Sequence, residues 1–165
     1  MEKTVATKEV KENLRVNEKK WGKTLMAAGW NVIPSIIIEK QQALGLDAID
    51  MNIIVHLSHY WWEAENLPHP TVATIAGAIG VKPRTVQKRI KQLAELNLLE
   101  RIERRHTKSG SAPNLYSFEG LIKAAEPFAE EKIAAVKKAQ EERRGRISRK
   151  KPRLVVSNDE SGSAT

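Results

Sequence analysis

The sequence predicts a mainly α domain: a three-helix core closed by a β-hairpin, with further helices on both flanks. Three observations carry that prediction. Apolar residues recur at helical spacing at Val72, Ile75, Ala76 and Ile79, and again at Val86, Ile90 and Leu93. Gly80 and Pro83 stand between the two sets, one suited to leaving a helix and the other to starting one. Further on, Tyr116 and Phe118 alternate onto one face, the two-residue period of a strand.

The elements follow in order. Val10, Leu14, Trp21 and Leu25 share a helical face, so a helix falls somewhere within 8–27, and Gly29 ends it. Trp30–Ile33 reads as a short extended segment stopped by Pro34, because the residue before proline avoids the helical region. Pro34 opens a short helix over Ser35–Leu44, and Gly45 closes it. Asp47 then begins a long helix. Its stripe is Ile49, Ile53, Leu57, Trp61 and Ala64, thickened by Ile54 and Tyr60, and its polar face is Asn52, His56, His59 and Glu63. Pro68 and Pro70 break the chain before Thr71, an N-cap for the next helix. Asn97 ends the helix that starts at Pro83. Leu98–Arg105 and Leu115–Glu119 read as strands joined by HTKSGSAPN, with Ile102 meeting Tyr116 and Phe118 across the ladder. Helical pattern returns over 119–145, broken or kinked at Pro127. The organisation is a flexible segment over 1–20, the main domain over 21–120, a helical extension over 121–142 and a disordered basic tail over 143–165.

Composition narrows the function. With 165 residues the chain can bury one core. Absence of cysteine removes disulfides, thiolate metal sites and cysteine nucleophiles, and suits a reducing cytoplasm. No apolar run approaches the roughly 18–20 residues of a membrane span, and the charged MEKTVATKEVKENLR start lacks a signal core. The net charge of +8 is unevenly placed. Residues 71–108 hold nine basic and three acidic side chains, whereas 21–70 hold two and five. Such clustering on one unit points to a polyanion partner.

The stretch TIAGAIGVKPRTVQKRIKQLAELNLLERIERR resembles the winged-helix subclass of bacterial helix-turn-helix DNA-binding proteins, the match running over Asp47–Glu119. Ala76 stands four residues before the turn glycine Gly80, as in those proteins. Thr85-Val86 sits early in the recognition helix, and Leu96-Asn97-Leu98-Leu99 leads into the first wing strand. The preceding GWNVIPSIIIEKQQALGLD is similar to segments found in helix-turn-helix proteins of plasmids, phages and other mobile elements, winged-helix replication initiators among them. One departure concerns Lys82, which stands where such proteins commonly carry a capping Ser; lysine cannot accept the orphan backbone N–H bonds.

The fold so implied is a winged helix-turn-helix, and its expected partner is double-stranded DNA. With Val86, Ile90 and Leu93 inward, base reading falls to Arg84, Thr85, Gln87 and Lys88: arginine pairs with guanine, glutamine with adenine, and a threonine methyl touches thymine. Backbone contact is assigned to Thr71, Lys82, Arg89 and Lys91, and to Arg104, Arg105, His106 and Lys108 of the wing. Arg143, Arg144, Arg146, Arg149, Lys150, Lys151 and Arg153 would add salt-sensitive affinity. No enzyme, metal, cofactor or small-molecule substrate is expected. His56, His59 and Glu63 share a polar stripe without a fourth ligand, and Gly22-Lys23-Thr24 lacks the upstream glycine of a phosphate loop. The first expectation is a cytoplasmic, dimeric transcriptional regulator of a bacterium, with 8–27 and 120–140 as dimer surfaces. The alternatives are replication initiation, replication control or partition of a mobile element, and a protein-interaction module.

Overall fold

A computed structural model describes residues 15–106 and 110–149 of the chain. It contains two compact units, Met1–Glu126 and Pro127–Thr165.

The first unit starts with a helical stretch at 15–21 (α1) and α2, Lys23–Ala27. The single helix expected within 8–27 is thus split at Gly22, whose φ of 86° leaves the helical region; its first residues lie outside those described. Residues 30–34 carry no ladder partner among the described residues. They are tied down by Asn31, whose amide donates to the Val55 carbonyl at 3.2 Å and to Ser58 Oγ at 2.8 Å. Helix α3 covers Ser35–Glu39 only, and turns carry the chain to Gly45.

Helix α4, Ala48–His59, opens on a complete capping box. Asp47 Oδ1 accepts from the backbone N–H of Ile49 and Asp50, and Asp50 Oδ2 accepts from the N–H of Asp47. Its apolar face buries Ile53, Ile54 and Leu57. The helix stops at His59, so the outer members of the expected stripe, Trp61 and Ala64, lie in the following turns; Trp61 still packs on Phe118, ring centroids 5.6 Å apart.

Helices α5, Val72–Ile79, and α6, Pro83–Glu95, pack on each other and on α4. Thr71 caps α5 by accepting from the Thr74 N–H at 3.0 Å. Gly80, φ 73°, closes it, with the Val81 N–H bonded back to the Ala76 carbonyl. Helix α6 ends likewise on Asn97, φ 55°: the Leu98 N–H reaches the Leu93 carbonyl at 2.9 Å and the Asn97 N–H reaches that of Ala94 at 3.0 Å. Ile53, Leu57, Ile75, Val86, Ile90 and Leu93 fill the space between the three helices, each at most 2 % exposed.

Strands β1, Glu100–His106, and β2, Gly110–Ser117, pair antiparallel. The hairpin is longer and its loop shorter than the sequence suggests, because β2 runs through Pro113. An irregularity between Ile102 and Arg104 absorbs the proline, which a strand tolerates at a bulge. The register opposes Tyr116 to Arg101 and Leu115 to Ile102. Ile102 therefore does not share the Tyr116 face, since one residue of register exchanges the faces. The Tyr116 N–H donates to the Pro68 carbonyl at 3.0 Å, fastening the hairpin to the helical core.

Helix α7 covers Glu119–Arg149 with Pro127 inside it, so the expected break at Pro127 is not seen, and the helix ends beyond 142. Four of the seven added residues are Arg, a good helix former, and Glu142 and Arg146 stand 3.6 Å apart at i,i+4 spacing. Its first turn meets the end of α6 closely: the Leu121 N–H donates to the Leu98 carbonyl at 3.0 Å, and a Cβ on Gly120 would overlap the Asn97 carbonyl. Leu121 and Ala125 complete the core of the first unit. In the second unit Ile133 and Val136 are exposed. No helix among the described residues is long and apolar enough to cross a membrane.

Candidate nucleic-acid interface

Helix α6 owes its display to its amphipathic pattern. Val86, Ile90 and Leu93 anchor it in the core, which turns Arg84, Gln87, Lys88 and Lys91 outward and exposed. Pro83 occupies its first turn. Lys82 stands at the N-cap with extended backbone and no side-chain cap bond, so the cap is missing as its residue type implies. Thr85 is half-buried.

The outward row of α6 borders a groove of about 1100 Å³. Arg84, Gln87, Lys88 and Lys91 line one wall; Arg101 from β1, Asn114 from β2 and Lys123 from α7 line the remainder. Ile90, Leu99 and Tyr116 contribute apolar surface. Burial raises the Tyr116 phenol above its usual value, against the opposing pull of the Arg101 charge and an Asn114 hydrogen bond. The Lys123 ammonium donates to Glu119 at 2.6 Å, which holds that carboxyl below and the ammonium above their ordinary values.

Arg101, Asn114 and Lys123 were not among the residues the sequence singled out. The hairpin register was the missing signal: placing Ile102 opposite Tyr116 hides Arg101 on the wrong face, and reading 110–114 as loop removes Asn114 from the strand.

Arg89 requires a correction. Assigned to phosphate from the sequence, it faces the protein instead. Its guanidinium is ion-paired with Asp47, its Nε lies 3.5 Å from Asp50 Oδ1, and it donates to Gln92 Oε1 at 3.0 Å. Asp50 Oδ1 is buried without a hydrogen bond among the described residues, and burial raises this carboxyl above its ordinary value even with Arg89 beside it.

Thr71 and Arg104 come together at a second, smaller hollow of about 380 Å³ beside the hairpin. The Thr71 hydroxyl is engaged with Thr74 as a cap, and Arg104 Nε donates to the Pro113 carbonyl at 2.8 Å. The backbone of Arg105 and His106 belongs to β1, which moves them from the loop tip into the strand. Their side chains, and Lys108 altogether, lie outside the described residues, as do Lys150, Lys151 and Arg153. No group of three or more His, Asp or Glu side chains that could hold a metal occurs among the described residues.

Residues 33–136, more than half of the chain, match the DnaD N-terminal domain. The chain belongs to the DnaD N-terminal domain family. The matched span begins at the extended segment and takes in the three packed helices, the hairpin and the first part of α7. This family is a replication-related, winged-helix-like DNA-binding family, which favours the replication alternative over the transcriptional regulator expected first. No curated protein matches the chain.

Proposed function

We propose that this DnaD N-terminal-type domain binds duplex DNA in the initiation or control of replication, with α6 in the major groove. One observation carries the reading. Arg84, Gln87, Lys88 and Lys91 form a single exposed row on α6, bordering a groove whose other walls carry Arg101 and Lys123 beside Glu100 and Glu119. Arg84, Gln87 and Lys88 meet base edges, and Lys82 and Lys91 meet phosphates. The hairpin lies over the adjacent backbone or minor groove, bringing Arg104 and Arg105 to the duplex. No catalytic step belongs to this reading.

The proposed active form is a homodimer, because one two-helix reader spans few bases and symmetry doubles the site. Trp21, 67 % exposed, together with Leu25, Trp30 and Val32, offers an apolar surface in favour of self-association. Dimeric binding predicts half-sites roughly 34 Å apart.

The test is equilibrium binding of the purified chain to replication-origin repeats, promoter fragments and scrambled duplexes. Preference for the origin repeats supports the reading. Preference for promoters returns the assignment to transcription, and absence of duplex binding at physiological salt removes it. Trp62, 71 % exposed, favours a second reading as a protein-docking module, for which that last outcome is the expected one.

A further inference from the structure

We infer that the groove between α6 and the hairpin seats one sugar–phosphate ridge of the duplex, gripped by Arg101 and Lys123 from the side opposite Lys91. The inference rests on the DNA-binding reading above and adds residues and a path to it. A helix in the major groove and a wing over the neighbouring minor groove lie on either side of a single strand's backbone. That backbone must cross the gap between the two elements. Here the gap is a groove of about 1100 Å³, above the roughly 300–1,000 Å³ of small-molecule pockets.

The walls suit a line of phosphates. Arg84, Lys88 and Lys91 come from α6, Arg101 from β1 and Lys123 from α7, against Glu100 and Glu119 as the lining carboxylates. Gln87 and Asn114 add neutral amide donors. Three of the cations rest on carboxylates of their own element: Arg101 on Glu103 at 2.9 Å, Lys123 on Glu119 at 2.6 Å and Lys91 on Glu95 at 3.6 Å. All three pairs are well exposed, and such pairs contribute little, so a phosphate can replace the carboxylate. Arg84 and Lys88 have no carboxylate partner among the described residues. An acidic peptide would meet the same charges, but it would leave the amide-bearing row on α6 without base edges to read. Duplex DNA uses both.

The test is fluorescence anisotropy of a labelled duplex across a KCl series, with poly-L-glutamate as the competing probe. Arg101→Ala with Lys123→Ala should weaken every duplex by the same factor, about tenfold or more, and lower the slope of log affinity against log salt by about two. Lys123→Ala alone, at an exposed position, should lower it by about one. The charge-keeping pair Arg101→Lys and Lys123→Arg should bind like the parent chain. An unchanged slope in the alanine variants, while Arg84→Ala still loses sequence preference, would overturn the proposed path and leave the DNA-binding reading standing. A parent chain that binds no duplex would overturn both. Poly-L-glutamate bound as tightly as duplex would overturn the choice of nucleic acid.

Discussion

The guanidinium of Arg89 on α6 is ion-paired with the carboxylate of Asp47, the residue that caps α4. Asp47 thereby serves two helices: Oδ1 accepts the first N–H groups of α4, and Oδ2 meets the arginine. Asp50, the reciprocal partner in the capping box, stands 3.5 Å from the same arginine. One cation therefore ties the rotation of α6 to α4.

Arg89→Met should destabilise the fold by about 2 kcal/mol at neutral pH, below the roughly 3–5 kcal/mol for breaking a fully buried pair because Asp47 is half exposed. Urea unfolding measures it. The pH dependence follows from Asp50. Its carboxyl is raised from the ordinary 3.8, so its proton-linked contribution is fully present below that value and is lost as pH rises through the higher folded-state value. The ionised Asp50 needs Arg89 most at neutral pH. The difference between variant and parent should shrink as pH falls through the raised folded-state value of Asp50.

Gly120→Ala should destabilise the domain by about 1–3 kcal/mol, because its Cβ would overlap the Asn97 carbonyl and neither backbone can yield without loosening the α6 exit. Melting followed by circular dichroism should show a fall of about 3–10 °C. Gly77→Ala is the matched control: a Cβ there meets open space in the middle of α5, and helix propensity favours alanine.

Lys82→Ser should stabilise the chain by about 1 kcal/mol. Lys82 already has the extended backbone of an N-cap but no side-chain acceptor, and a serine hydroxyl would take an orphan N–H of the first turn. The same change removes a proposed phosphate contact. A higher melting temperature joined to weaker duplex binding is the expected pair of results.

The features legible in the sequence are those set by neighbours within a turn or two. Val86, Ile90 and Leu93 declare the buried face of α6 by spacing alone, and Gly80, Pro83 and Asn97 mark its limits through backbone geometry. Arg89 was misread because it sits at the edge of that buried face, and its partners, Asp47 and Asp50, are brought to it by tertiary packing. Arg101 was missed because strand register, which decides faces, depends on a bulge that the sequence does not announce. Pro113 falls in the predicted loop, and Pro127 is expected to break or kink its helix. A bulge accommodates the first, and the second lies within a strongly helix-forming run.

The most direct test of the central claim, that the exposed row of α6 reads DNA, is the ratio of specific to non-specific duplex affinity in the parent chain and in Arg84→Ala. Sites come from random-duplex selection with the purified parent protein. If α6 reads bases, the parent ratio is well above one and falls about tenfold or more in the variant, as expected for about 1–3 kcal/mol per lost base contact, with non-specific affinity nearly unchanged. An identical ratio in the two proteins, or no selected sequence at all, would contradict it.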